Sequence, residues 1–177
     1  MKNLVFCAIL LASFLTGCVS KPQSDTATPR LYALDCGNIE ALDVSVFHPG
    51  IDKGKRKVLT NSCYLIVHPK GTLLWDAGLP DALVKTPEGV IGYEVFRFSV
   101  NHPLESQLLQ IGHPAASIQY LGVSHLHGDH IGNVNLLPKA TLLIQQEEYA
   151  AGFGTEASKY GFDPSSYATL RNNPLKQ

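Results

Sequence analysis

The sequence offers little that would hold a nucleic acid. Its 14 Lys and Arg stand against 15 Asp and Glu, the formal net charge is −1, and no basic stripe is apparent. Electrostatic capture of a phosphate backbone is therefore not its expected activity. Cysteine numbers four, and none has a second Cys or a His nearby at a ligand spacing, which argues against a cysteine zinc site. No internal repeat is visible, so a solenoid is excluded. No histidine follows His130, and Asp163 is the only later aspartate.

The N-terminus does carry an apolar run, from Leu4 to Leu15 behind Lys2. It is too short for a stable bilayer span and has the flanks of a secretory signal peptide. The ending Leu15-Thr16-Gly17-Cys18 resembles the bacterial lipobox. That resemblance implies cleavage after residue 17, lipid attachment at Cys18, export, and anchoring to a membrane facing the periplasm or cell exterior. An ordinary cleaved signal is the plainer alternative. Residues 18–30, which include Lys-Pro-Gln-Ser-Asp-Thr-Ala-Thr-Pro at 21–29, read as a polar tether. Residues 31–177 are enough for one domain. In an oxidising compartment Cys36 and Cys63 are permitted to bond, and the sequence leaves open whether they meet.

Along that domain, Leu31–Gly37 and Leu42–Phe47 read as strands, the second by its period of two. Asn61–His68 and Thr72–Asp76 flank Pro69-Lys70-Gly71 and predict a hairpin. From Pro80 to Pro103 the pattern is irregular, as in a loop or lid. Pro103–Gln110 predicts a helix with Leu104 and Leu108 on one face. Ser117–Val123 and Thr141–Ile144 read as strands, Gln145–Ala151 as a helix, and residues 152–177 have little periodicity. His48, His68, His102 and His113 are expected beside turns or prolines.

The densest chemistry is Ser124-His125-Leu126-His127-Gly128-Asp129-His130-Ile131-Gly132-Asn133. Side chains two apart on an extended strand end point the same way, so His125 and His127 pair naturally, while Asp129 keeps that parity and His130 breaks it. The spacing favours two adjacent metals, one on His125 and His127 and a second on Asp129 and His130. Imidazoles with a carboxylate are a donor set that Zn²⁺ accepts, other divalent metals being possible. Gly128 is expected to relieve crowding and Gly132 to allow close backbone packing. A polar loop or a metal-scavenging histidine cluster is the plainer alternative.

His-Leu-His-Gly-Asp-His is similar to the H-x-H-x-D-H motif of the metallo-β-lactamase superfamily. Leu73–Gly78 resembles that family's strand ending in Asp-x-Gly, which implies structural support from Asp76 and Gly78. Asn61–Ile66 is similar to the strand before it. Gln145–Ala151 resembles the N-acyl homoserine lactonase branch. The resemblance spans about residues 31–151 and implies an α+β sandwich, the first half of an αββα four-layer fold. It also implies two zinc ions sharing a hydroxide that attacks a lactone or similar ester, with Asp129 passing a proton to the leaving alkoxide. Other hydrolases with this motif, acting on β-lactams or thioesters, are the alternatives, as is a non-catalytic lipoprotein.

A complete family site takes two further histidines and a bridging aspartate from its second half. Those ligands do not follow His130 here. The expectation for the 177-residue chain taken literally is a truncated product or partial record, with weak metal binding and one sheet face lacking its cover.

Overall fold

The computed structural model describes residues 28–176. The expected signal peptide, Cys18 and the tether up to residue 27 lie outside the described residues. A long strand, β1 (Arg30–Ala41), forms a hairpin-like pair with β2 (Lys57–His68), and β2 turns through Pro69 and Lys70 into β3 (Gly71–Trp75). Beyond them come β4 (Val90–Gly92), β5 (Phe96–Ser99), helix α1 (Leu104–Gln110), β6 (Tyr120–Gly122), helix α2 (Gly128–Ile131), β7 (Thr141–Leu143), helix α3 (Gln146–Phe153) and β8 (Leu175–Lys176).

The eight strands of the described residues share one mixed sheet in the order β4-β5-β1-β2-β3-β6-β7-β8. The β4 to β3 half is antiparallel, and β3, β6, β7 and β8 run parallel. Period-two burial sets the faces: Cys63, Leu65 and Val67 of β2, Leu74 of β3 and Leu121 of β6 point into the core. Leu104 and Leu108 of α1 cover that side, as does the segment after α3, where Tyr167 is fully buried and donates its hydroxyl to the Gly152 carbonyl at 2.7 Å. The other face presents Tyr64, Trp75 and Tyr120 to solvent.

Several expectations are corrected. Leu42–Phe47 is no strand. The Asp43 carboxylate accepts from the Ser45 and Gly54 amides, which turns the chain into a short 3₁₀ segment at Val44–Val46. The irregular stretch 80–103 contains the β4–β5 hairpin, whose turn places Tyr93 and Glu94, neither of them glycine, at φ 51° and 60°. The strand expected over Ser117–Val123 shrinks to three residues because Ala115–Ser117 is a 3₁₀ turn. Gly128 relieves no crowding, since a Cβ there would meet nothing within 4 Å. Cys36 and Cys63 are bonded, with Cα atoms 5.7 Å apart, joining β1 to β2 beside the bulge in their register.

Candidate metal centre

The site sits where two neighbouring parallel strands end. Trp75 pairs with Gly122, so the residues just beyond β3 and β6 emerge together, the usual place for ligand chemistry in a parallel sheet. Asp76 leaves β3 in the left-handed region at φ 60° and is buried. Its Oδ1 accepts from the Ser124 amide at 2.8 Å. Its Oδ2 accepts from the Ser124 hydroxyl at 2.9 Å and lies 2.9 Å from His130 Nδ1. Asp76 therefore ties the β3 exit to both ends of the histidine segment.

Two glycines set the backbone around it. Gly78 has φ +62° and lies against Cys36, whose Cβ would be 2.5 Å from an added Cβ. Gly132 donates its amide to the Gly78 carbonyl at 2.7 Å, and a Cβ on it would stand 2.3 Å from the Pro80 nitrogen. Only glycine fits, as expected for Gly132.

His125, Asp129 and His130 each offer a donor atom, and these three atoms lie within 4.8 Å of one another. The Asp129 Oδ2 to His130 Nε2 separation is 3.3 Å. Two donors held about 2.0–2.1 Å from a tetrahedral zinc ion would be about 3.4 Å apart, so this pair fits such an ion. His127 stands outside that group. Its ring lies 4.7 Å from that of His125, but its Nε2 is 2.9 Å from the Tyr160 carbonyl, from the segment after α3.

Hydrogen-bond chemistry fixes each imidazole's tautomer. A carboxylate and a carbonyl can only accept, so His130 is protonated on Nδ1 and His127 on Nε2. The Ser124 hydroxyl spends its proton on Asp76, so His125 donates from Nδ1 to Ser124 Oγ at 3.1 Å. The nitrogens that can meet an ion are then Nε2 of His125, Nδ1 of His127 and, once its ring has lost its second proton, Nε2 of His130.

Electrostatics sort the same groups. Burial of the His130 ring opposes its charge, but hydrogen bonds to Asp129 and Asp76 outweigh that and raise its pKa to about 9. Burial and the neighbouring His130 and His127 lower that of His125, which keeps its lone pair. Burial would raise Asp129, yet His130 holds its carboxyl below the usual range. A cation held by these residues would have to displace a proton from His130 and would meet an already ionised Asp129 carboxylate.

Residues outside the motif hold the loop in place, and the sequence carried no assigned role for them. The Asn61 amide donates to the Asp129 carbonyl at 2.6 Å. Glu148 of α3 accepts from the Leu126 amide at 2.7 Å. Asn133 donates to the Ala77 and Leu79 carbonyls at 2.8 Å each and accepts from the Asp81 amide. Asn133 closes the stretch Ser124–Asn133, and nothing in its local spacing marks these long-range partners. Beside Asp129 opens an apolar cavity of about 580 Å³, lined by Phe47, Leu79, Leu83, Tyr93, Phe96 and Phe98 among others.

Comparison with known proteins agrees with this geometry. A family profile described as the metallo-beta-lactamase superfamily matches residues 56–156. The N-acyl homoserine lactonase AttM of Azorhizobium caulinodans is 28% identical over 145 residues, covering 78% of this chain and 51% of its own length. The N-acyl homoserine lactonase AiiA of Bacillus thuringiensis subsp. kurstaki is 27% identical over 133 residues, covering 72% and 52%. The chain thus spans about half the length of the curated relatives it matches. Among solved structures, an N-acyl homoserine lactone hydrolase with N-hexanoyl-L-homoserine at its catalytic metal centre superposes with TM-score 0.67 at 23% identity, over 83% of this chain and 59% of that one. AidC, described as a dizinc quorum-quenching lactonase, gives TM-score 0.57 at 17% identity over 84% and 58%. With the matched segment covering more than half of its residues, the chain belongs to the metallo-beta-lactamase superfamily.

Proposed function

We propose that this chain carries part of a metal-dependent hydrolase that opens the lactone ring of N-acyl homoserine lactones, with zinc as its metal. The observation that supports this reading best is the apolar cavity ending on Asp129, of a size suited to an acyl chain whose polar head rests at the histidine cluster. His125, Asp129 and His130 would hold a cation, with His127 beside them and Asp76, Ser124 and Gly78 keeping the rings and backbone oriented. When bound, a divalent cation supplies Lewis acidity, polarising a carbonyl and acidifying water. Asp129, ionised in the resting state, takes a proton from the attacking water. Water's oxygen bonds to the lactone carbonyl carbon, the bond from that carbon to the ring oxygen breaks, and Asp129 hands the proton to the departing ring oxygen. The product is N-acyl homoserine, whose new carboxylic acid releases water's second proton to solvent.

Turnover of N-acyl homoserine lactones, a β-lactam and a thioester, compared at equal metal loading, tests this. Lactones are expected to lead, with preference rising with acyl length until the cavity fills. Equal or greater β-lactam or thioester turnover would refute the lactonase reading. Asp129→Asn at full metal content and full rate would remove the proton-carrying role. Export and lipid attachment at Cys18 belong to the same proposal; Cys18→Ser should move the protein from the membrane to the soluble fraction.

A further inference from the structure

We propose that the rim of the apolar cavity is a membrane-docking surface that seats on anionic phospholipid, independently of any anchor at Cys18 and of the reaction proposed above. Residues 46–58 are exposed without interruption. Within them Phe47 is 58% and Ile51 53% exposed, and the run continues directly into Lys53, Lys55, Arg56 and Lys57. Four of the chain's 14 basic residues thus fall in five positions, a concentration that the overall charge of −1 conceals. Lys55 pairs with Asp52 and Arg56 with Glu40, while Lys53 and Lys57 make no ion pair among the described residues.

The loop is held in shape. Asp43 accepts from the Ser45 and Gly54 amides, and the Val44 amide donates to the Lys55 carbonyl at 2.8 Å, closing its base. Phe47 leans on Phe96 at 5.9 Å between ring centres and lines the cavity with Val90 and Tyr93 from the facing hairpin. Tyr93, at 69% exposed, extends the apolar rim on that side.

Aliphatic and aromatic side chains beside lysines, with no covering element, match the interfacial zone of a bilayer. There the apolar groups enter the headgroup boundary and the ammonium groups meet anionic lipid. A second copy docking by the same patch would set the unpaired Lys53 and Lys57 of one against those of the other. Nucleic acid would leave Phe47 and Ile51 with nothing to pack on. No helix among the described residues is long and apolar enough to cross a membrane. The cavity mouth would then open onto the lipid.

Hydrogen exchange of the full chain tests this on vesicles of equal phosphatidylglycerol and phosphatidylcholine against phosphatidylcholine alone. Residues 46–58 and 90–93 should gain protection on the anionic vesicles only. The protection should vanish near 1 M salt, where screening acts over about 3 Å. Lys53→Gln with Lys57→Gln should weaken docking by roughly fivefold per residue and return the loop to its vesicle-free exchange rate. Equal protection on neutral vesicles, unchanged protection in the double variant, or vesicle-free protection that grows with protein concentration would each overturn the proposal.

Discussion

Replacing Asp76 by Asn removes one charge and leaves the backbone undisturbed, because Asn is tolerated at the positive φ of 60° found there. The amide oxygen still accepts from the Ser124 amide, but an NH₂ group now faces His130 Nδ1. That ring nitrogen must become an acceptor, so the neutral imidazole moves its proton to Nε2, the nitrogen that should bind the ion. Raising His130 from 6.5 to about 9 corresponds to roughly 3 kcal/mol of preference for the charged ring, shared between Asp129 and Asp76. The sign follows from a raised pKa: this stabilisation is complete below pH 6.5 and disappears as pH rises through about 9. Metal-free Asp76→Asn should therefore be less stable than the parent by roughly 1–2 kcal/mol at pH 7 in urea unfolding, with this part of the gap closing above pH 9. Its His130 pKa should fall when followed by NMR, and its zinc affinity should drop about 10–100-fold. An unchanged His130 pKa together with a pH-independent stability gap would refute the assignment of Asp76 as the group that orients this ring.

Three further outcomes follow from the geometry. Reducing the Cys36–Cys63 bond, which spans a separation of 27 residues, should cost about 3–4 kcal/mol by chain entropy, read as a lower Tm in reductant. Gly132→Ala drives a methyl into the backbone at Leu79 and Pro80 and should destabilise by about 1–3 kcal/mol or prevent folding; wild-type stability would contradict the close approach. Asn133→Ala leaves the Ala77 and Leu79 carbonyls and the Asp81 amide without their partner and should cost roughly 2–4 kcal/mol in chemical unfolding.

The sequence was most informative where local chemistry and tertiary placement agree. The Asn61–Asp76 hairpin, the Leu104–Leu108 face and the Gln145–Ala151 helix follow from turn residues and periodicity, and each is present. Leu42–Phe47 misled because its alternation matches a strand, whereas the Asp43 side chain supplies a competing turn. The β4–β5 hairpin escaped because Tyr93 and Glu94 carry the positive φ that Gly or Asn would have signalled. Here the pairing of Phe96–Ser99 with β1 overrides weak local preference. At the site, the ligand-type residues were plain from their spacing. The grouping of His125 with Asp129 and His130, and the turn of His127 toward Tyr160, depend on a short helix that breaks strand parity after His127. Partners such as Asn61, Glu148 and the Tyr160 carbonyl arrive from 68, 22 and 33 residues away, distances at which a single sequence records no pairing.

Zinc titration of the metal-stripped chain with proton release recorded, beside His125→Ala, Asp129→Asn and His130→Gln variants, bears most directly on the whole account. At pH 7 each equivalent of zinc should displace about one proton, that of His130, and every variant should bind at least about tenfold more weakly. Zinc binding of equal strength in the parent and in all three variants, with no proton released, would contradict it.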